Sequence, residues 1–251
     1  MKTLGIIPAR YASTRFPGKP LAMIGGKSMI ERVYLQARAA TALAAVVVAT
    51  DDDRIADHVR GFGGIVVMTH PDHQSGTDRC AEVLQKMEGQ WDAVVNIQGD
   101  EPFIAPEQIN LLAECLSEKE VQIATLVKKI TEITELLNPN SPKVVLAENH
   151  DALYFSRQAL PFYKGRDIEE WLSQHTYYKH VGIYGYKADV LPGLTALPQG
   201  KLEKAESLEQ LRWLENGYRI RTSVTNFETI AIDTPEDLVR AQAYVNQLHS
   251  D

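Results

Sequence analysis

Residues 4–20 of the chain read LGIIPARYASTRFPGKP, a short apolar run followed by a basic loop. The apolar residues 4–7 predict a first β-strand, which a proline ends. The loop then places Arg10, Arg15 and Lys19 among small residues and prolines. Open parallel sheets bind their ligands at the carboxyl ends of the strands. This stretch therefore predicts an α/β protein with an anion site beside its first strand.

Short apolar runs and helical patterns alternate along most of the chain. This rhythm predicts an α/β fold with a mostly parallel mixed sheet and helices on both faces. The runs that predict further strands lie at residues 46–50, 65–69, 93–97 and 229–232. Shorter runs within 143–186 break the rhythm, so we expect one domain over residues 1–251 with a smaller subdomain at about 143–215.

Capping patterns predict where several helices begin and end. Ser28 precedes an apolar stripe of helical spacing, and Thr234 followed by Pro235 opens a final helix. A further helix is expected over about 207–216, with Gly217 at its end.

Composition excludes several classes of protein. The chain has 251 residues, 44% hydrophobic and 24% charged, as in a globular protein. It has no run of about 20 apolar residues, so we expect neither a signal peptide nor a membrane span. Two cysteines far apart favour a reducing, cytoplasmic compartment. A net charge of −7 argues against nucleic acid as a partner.

The charge distribution adds a positive expectation. The first 38 residues hold seven Lys or Arg against a single acid, Glu31. Within that segment Arg10 and Arg15 can make forked bonds to phosphate oxygens, Lys19 supplies a compact charge and Ser13 a hydroxyl donor. A P-loop is excluded because its first glycine would fall at Leu21, and no G-x-G-x-x-G follows the first strand.

Two aspartates are candidate Mg²⁺ ligands at the same sheet edge. Asp100 follows the strand at 93–97 and Asp233 follows the run at 229–232. Carboxylates with phosphate and water oxygens suit Mg²⁺. Asp100 could equally be a turn residue, and Asp233 could cap the last helix.

Other polar clusters are less informative. The acidic triplet 51–53 resembles the acidic pair of metal-dependent glycosyltransferases, but helix capping is the favoured interpretation. The segment 75–79 either binds an anion or a base edge with Arg79, or is a plain helix start capped by Thr77. His70 and His73 have no third ligand nearby, so a zinc site is not expected. From the residues alone, the chain is predicted to be a Mg²⁺-dependent enzyme that handles a nucleotide polyphosphate.

Six blocks of sequence together resemble the 3-deoxy-manno-octulosonate cytidylyltransferases, also called CMP-Kdo synthetases. The resemblance covers nearly the whole chain; Phe16 and Ala231 depart from the residues expected at their positions. The blocks lie at residues 7–20, 75–79, 95–102, 179–186, 202–212 and 233–238.

This resemblance implies a homodimeric enzyme, paired through the smaller subdomain, that transfers CMP from CTP to the anomeric hydroxyl of 3-deoxy-D-manno-octulosonate (Kdo) for lipopolysaccharide biosynthesis. It further implies Mg²⁺ as cofactor, bound by Asp100 and Asp233. The triphosphate would be bound by Arg10, Ser13, Arg15 and Lys19, with Arg79 and Gln98 on the nucleoside side. Kdo would be bound by Arg157, His180, Tyr184, Glu209 and Gln210. Lys19, Arg10 and Asp100 are the expected catalytic groups.

Three alternatives stay open at this point. The acceptor could be another acidic sugar, such as a sialic acid. A non-catalytic nucleotide-sensing module would need the basic loop but neither carboxylate. A metal-dependent glycosyltransferase would be built on Asp51, Asp52 and Asp53 instead.

Overall fold

The computed structural model describes residues 1–12, 16–228 and 231–248. The strands are β1 (Thr3–Pro8), β2 (Met23–Ile24), β3 (Lys27–Ser28), β4 (Leu43–Thr50), β5 (Val66–Met68), β6 (Ala93–Asn96), β7 (Ile123–Lys129), β8 (Lys143–Leu146), β9 (Ala152–Ser156), β10 (Tyr178–Lys187) and β11 (Ile220–Val224). The helices are α1 (Met29–Ala39), α2 (Asp53–Gly61), α3 (Gly76–Lys86), α4 (Pro106–Ser117), α5 (Ile133–Leu137), α6 (Trp171–Gln174), α7 (Leu191–Thr195), α8 (Lys201–Glu206), α9 (Gln210–Glu215) and α10 (Pro235–Leu248). Short 3-10 turns lie at Lys19–Leu21 and Ile168–Glu170.

The chain divides into two compact units. The first holds Met1–Ala113 and the C-terminal segment with α10, and the second holds Glu114–Phe227. The subdomain predicted at about 143–215 lies within the second unit. No helix among the described residues is long and apolar enough to cross a membrane.

The first unit contains a parallel sheet in the order β6, β1, β4, β5. Its central strands are buried: Ile6 and Val47, which lie opposite each other on β1 and β4, have no exposed surface. Because all four strands run the same way, their carboxyl ends meet at one edge. The basic loop and Asp100 were predicted to lie at this edge.

Helix α1 follows its sequence pattern closely. The Ser28 hydroxyl accepts a hydrogen bond from the Glu31 backbone N–H at 3.2 Å and caps the helix. The predicted stripe is buried and comprises Met29, Ile30, Val33, Tyr34 and Ala37. Two glycines with positive φ, Gly25 and Gly26, form the turn between β2 and β3.

The second unit is built on a mixed sheet. Strand β7 pairs with β11 in parallel and with β10 in antiparallel fashion, and β8 pairs antiparallel with β10 and β9. Strands β8 and β9 are short strands predicted within 143–186, whereas the short run predicted at 181–184 is part of β10, which has ten residues. A parallel sheet in one unit, a mixed sheet in the other and flanking helices confirm the predicted fold class.

Two predictions about the C-terminal third need correction. The helix expected over about 207–216 is present as α9 but begins later than predicted, at Gln210; α8 ends at Glu206, and Ser207, with a left-handed φ of 53°, separates the two helices. Gly217, with φ 80°, ends α9 as predicted. The strand expected at 229–232 falls partly outside the described residues, and Ala231 and Ile232 are not in a strand. Strands β7 and β11 were not predicted at all.

Candidate active site

The first unit carries a polar cavity of about 260 Å³ at the carboxyl ends of β1 and β6. It is lined by Pro8, Ala9, Arg10, Lys19, Pro20, His73, Gln74, Ser75, Gly76, Arg79, Gln98, Gly99, Asp100 and Asp233. The predicted CTP and metal residues of the described chain therefore all face one cavity. Ser13 and Arg15 lie outside the described residues, and their predicted roles stay predictions.

A lysine and two aspartates from distant parts of the sequence meet in this cavity. The Lys19 ammonium nitrogen lies 2.7 Å from Asp100 Oδ2 and 3.3 Å from Asp233 Oδ1. The Lys19 side chain is 14% exposed, while Asp100 is 30% and Asp233 42% exposed, so water screens the pair with Asp233 more than the pair with Asp100. Two carboxylates on one ammonium make a compact set of oxygen donors.

The two aspartates are brought together by the backbone around them. Asp100 lies in the turn after β6, and its carbonyl accepts the Ile232 backbone N–H at 2.9 Å. The cap of α10 is supplied by Thr234, whose hydroxyl accepts the Asp237 N–H at 3.2 Å, while Asp237 accepts the N–H groups of Asp233 and Thr234. Thr234 therefore caps this helix, as predicted, and the Asp233 carboxylate pairs with Lys19.

The start of the basic loop is held by contacts that the sequence did not reveal. The Arg54 guanidinium lies 3.3 Å from the centre of the Tyr11 ring, and Asp52 binds the same guanidinium at 2.6 Å. The Gly18 backbone N–H donates to the Tyr11 carbonyl at 2.9 Å, and Gly18 has φ 72°. These contacts tie together the two ends of the loop between Arg10 and Lys19. No sequence motif marks Arg54 for this task.

Helix α3 begins beside the cavity. Ser75 caps it by accepting the Asp78 backbone N–H, and the Asp78 carboxylate accepts the Ser75 N–H in return. In the alternative of a plain helix start Thr77 was the cap; the cap is Ser75 instead, and Thr77 is buried, with 2% of its surface exposed. Arg79 is 4% exposed and is held by Asp51 at 3.0 Å.

The acidic triplet is accounted for by structural contacts. Asp52 caps α2 by accepting the Arg54 backbone N–H at 3.0 Å, as the favoured interpretation predicted. Asp51 pairs with Arg79, whose guanidinium also donates to Thr69 Oγ1 at 2.6 Å. Within the part of the chain that the structure describes, no group of three or more His, Cys, Asp or Glu side chains is placed to hold a metal ion.

Glu101 is a buried carboxyl beside the site that sequence reasoning missed. Its side chain follows Asp100, the residue is 5% exposed, and Oε2 has no hydrogen-bond partner among the described residues. Burial and the neighbouring Asp100 charge raise the pKa of Glu101 to about 8. Its signal in the sequence is only its place between an aspartate and a proline.

Two of the predicted Kdo residues, His180 and Tyr184, lie together in the second unit. The ring centres of His180 and Tyr184 are 5.1 Å apart, and Tyr184 packs its ring against Trp213 of α9, the helix that Gln210 opens. The Tyr184 hydroxyl and Gln210 Nε2 are buried and lack hydrogen-bond partners among the described residues. Buried polar atoms without partners are rare in proteins, so these two atoms are available to a ligand or to a bound water molecule.

Electrostatics in this group favour neutral side chains. Burial lowers the pKa of His180 to about 3, and His180 Nε2 lies 2.9 Å from Thr125 Oγ1. Burial also raises the pKa of Tyr184 well above its ordinary value. Glu209 lies at the start of α9, next to Gln210.

Arg157 is engaged in a different way. Its guanidinium donates to the carbonyls of Glu206 at 2.7 Å, Pro139 at 2.9 Å and Ser207 at 3.3 Å. These bonds fix the chain where α8 ends. A direct contact of Arg157 with Kdo stays a prediction.

Comparison with known proteins gives consistent results. The family described as Cytidylyltransferase matches residues 4–222. The 3-deoxy-manno-octulosonate cytidylyltransferase of Bacteroides thetaiotaomicron is 59% identical, with 98% of both chains covered. That of Thermodesulfovibrio yellowstonii is 45% identical over 98% of this chain and 99% of the relative. The solved CMP:2-keto-3-deoxy-manno-octonic acid synthetase complexed with CTP superposes with a TM-score of 0.91 at 43% identity, covering 99% of this chain and 100% of that one.

Proposed function

The chain belongs to the cytidylyltransferase family, and we propose on that premise that it transfers CMP from CTP to the anomeric hydroxyl of Kdo, giving CMP-Kdo and pyrophosphate. CMP-Kdo is the activated sugar for lipopolysaccharide biosynthesis. The observation that carries the proposal within this molecule is the meeting of Lys19, Asp100 and Asp233 in one cavity that Arg10 also lines.

The reaction must bring two anions together. CTP carries a triphosphate and Kdo a carboxylate, so their repulsion opposes the approach of the sugar hydroxyl to the α-phosphorus. Lys19 and Arg10 offset this repulsion by placing positive charge on the phosphate side. Direct attack of the sugar oxygen needs positioning and charge stabilisation rather than a nucleophilic side chain. The cavity is lined by cationic side chains, carboxylates and backbone groups, which can supply this positioning and charge stabilisation.

Asp100 and Asp233 are the side chains that would hold Mg²⁺. The donor set suits this ion, because two carboxylates with phosphate and water oxygens satisfy a hard octahedral cation. When bound, Mg²⁺ neutralises phosphate charge and lowers the pKa of a coordinated hydroxyl. Lys19, which bonds both carboxylates, would also contact the phosphates bound beside them.

Kdo recognition falls to the second unit. Gln210 Nε2 and the Tyr184 hydroxyl are buried donors that the described protein leaves unsatisfied. Sugar hydroxyls and the Kdo carboxylate supply acceptors for both. His180 stays neutral over the physiological range and offers a ring nitrogen beside them. Glu209, at the start of the same helix as Gln210, would accept bonds from sugar hydroxyls.

The protein is further proposed to act as a homodimer in the cytoplasm. In the second unit Phe162 is 73% exposed, although its ring packs edge-on against Trp171 with centres 5.3 Å apart. A second copy of the chain would cover this aromatic surface. Cys80 and Cys115 are both buried thiols, which suits a reducing compartment.

The test is pyrophosphate release by the purified protein with CTP and Mg²⁺, with and without Kdo. We expect release only when Kdo, CTP and Mg²⁺ are all present. Release with a sialic acid but not Kdo would assign a different acceptor. CTP binding that is indifferent to Mg²⁺, with no turnover on any 2-keto sugar acid, would make the chain a nucleotide-sensing module.

A further inference from the structure

His73 lines the nucleotide cavity but has no part in the function derived so far. It lies in the loop before α3, and the cavity wall continues from it through Gln74, Ser75 and Gly76. Its side chain is 23% exposed. In the sequence His73 is a candidate only for a zinc site with His70, for which no third ligand lies nearby.

Glu82 fixes the orientation of the His73 ring. His73 Nε2 lies 2.5 Å from Glu82 Oε2, which also accepts the His70 backbone N–H at 2.8 Å. The other Glu82 oxygen pairs with Lys86 at 2.6 Å. A carboxylate with three partners cannot turn away without losing all of them, so His73 is held by a rigid group.

This pairing decides which ring nitrogen carries the proton. Burial raises the pKa of Glu82, but the hydrogen bonds from Lys86, the His70 backbone and His73 outweigh burial and lower it to about 2. An ionised carboxylate can only accept, so His73 Nε2 must donate. In the neutral ring, Nδ1 is then a hydrogen-bond acceptor.

The part of the cavity that the His73 segment lines is available to the nucleobase. Its phosphate-binding side comes from Arg10, Lys19, Asp100 and Asp233, which supply the charges. The rest of the lining includes Gln98, the His73 segment and Arg79, and Arg79 is already held by Asp51. Cytosine presents a 4-amino donor where uracil presents a 4-carbonyl acceptor. A hydrogen-bond acceptor that faces the base from this wall would distinguish the two bases.

We propose that His73, held in one tautomer by Glu82, accepts a hydrogen bond on Nδ1 from the 4-amino group of cytosine and so selects CTP over UTP. The inference rests on the proposed function, because it assumes that the cavity binds a pyrimidine nucleotide. His73 is the specificity residue that contacts the base, and Glu82 is a positioning residue that acts through His73.

The experiment compares CTP with UTP for four variants at about pH 8, where an ordinary histidine is neutral. In His73→Phe the ring is kept and the acceptor removed, so kcat/KM for CTP falls by about 10-fold to 100-fold while that for UTP changes little. In His73→Asn the amide can present either a donor or an acceptor, so the preference for CTP is lost.

Glu82→Gln tests the positioning role. Its amide can either accept from Nε2 or donate to it, so both tautomers of His73 become available and the CTP to UTP ratio falls. Nitrogen-15 spectra of the histidine rings report the tautomer directly: wild type shows a proton on Nε2 of His73, and Glu82→Gln shows a mixture. His70→Phe is the matched control; His70 is 63% exposed and does not line the cavity, so the ratio stays unchanged.

Calorimetric binding of CTP and UTP to the same proteins separates the inference from the proposed function. If wild type binds CTP and turns it over with Kdo, but His73→Phe keeps the wild-type ratio in both kinetics and affinity, the inference is wrong and the function stands. If wild type releases no pyrophosphate, the function is wrong, and the affinity ratios still decide the role of His73. A proton on Nδ1 of His73 in the wild-type spectra also overturns the inference.

Discussion

Gly99→Ala is the substitution whose cost can be worked out most directly from the geometry of the site. A Cβ built on Gly99 would lie 2.7 Å from the Pro8 carbonyl oxygen, closer than real Cβ atoms come. Pro8 ends β1 opposite Ala49 of β4, and the next residue donates its N–H to the Ala49 carbonyl at 2.8 Å. The obstructing atom is therefore backbone of a paired strand and cannot rotate away as a side chain would.

The Gly99 turn must then move outward by several tenths of an ångström. Overpacking of this kind costs about 1–3 kcal/mol of unfolding free energy. For a chain of this size each kcal/mol lowers Tm by roughly 2–4 °C, so we expect a loss of about 2–12 °C. Asp100 is the next residue, so the same shift pulls a carboxylate from Lys19 and should reduce kcat/KM about tenfold to hundredfold.

The assay is thermal denaturation followed by pyrophosphate release with CTP and Kdo. Gly61→Ala is the matched control, because Gly61 is the last residue of α2 and a Cβ there meets nothing within 4 Å. That variant should be as stable as wild type, or more stable by up to about 1 kcal/mol, with unchanged kinetics. A Gly99→Ala protein that matched Gly61→Ala in both Tm and turnover would refute the reasoning.

Three further predictions concern the ionisable and unsatisfied groups. Because burial holds the His180 pKa at about 3 against an ordinary 6.5, the unfolded chain takes up a proton that the folded chain does not, and stability falls as pH drops from 6.5 towards 3. At pH 5 this loss of unfolding free energy is about 2 kcal/mol. Urea titrations across that pH range should show a shallower pH dependence of stability for His180→Gln than for wild type. Parallel curves for the two proteins would contradict this prediction. Tyr184→Phe removes a buried hydroxyl without a described partner, so the unfolding free energy should stay unchanged or rise by about 1 kcal/mol. The same variant should raise KM for Kdo without changing KM for CTP. An equal rise in both KM values would count against a contact between Tyr184 and Kdo. Asp100→Asn should lower kcat by orders of magnitude because an amide is a far weaker Mg²⁺ ligand, and near-normal pyrophosphate release would be incompatible with Asp100 as a metal ligand.

Local pattern was sufficient for much of the fold. The buried stripe of α1, the cap of α10 and the strands around the first unit follow from periodicity and capping residues, which act over a few positions. The break between α8 and α9 could not be predicted in this way. It depends on Ser207 adopting a left-handed conformation, while Glu203 and Arg212 pair across the break at 2.6 Å. Such pairs are tertiary contacts that no local pattern encodes.

The candidate site likewise contains residues that local sequence pattern could predict and residues that it could not. Strand ends marked Asp100 and the basic loop because parallel strands gather their carboxyl ends at one edge. Asp233 was predicted at this edge because it follows an expected strand, but Ala231 and Ile232 are not in a strand. The hydrogen bond from the Ile232 backbone N–H to the Asp100 carbonyl positions Asp233 in the site instead. The contact of Arg54 with Tyr11 and the pair of His73 with Glu82 depend on folding, so the sequence alone gave no reason to connect them.

The central claim is that Asp100 and Asp233 bind one divalent ion together with the phosphates of CTP. Anomalous diffraction from a crystal grown with CTP and Mn²⁺ measures this directly. The account predicts a metal peak bonded to one oxygen of each aspartate and to phosphate oxygens, at distances near the 2.0–2.1 Å of an octahedral Mg²⁺ site, to within roughly 0.2 Å. A metal bound by phosphates alone, with both aspartates still paired to Lys19 or turned away, would contradict it.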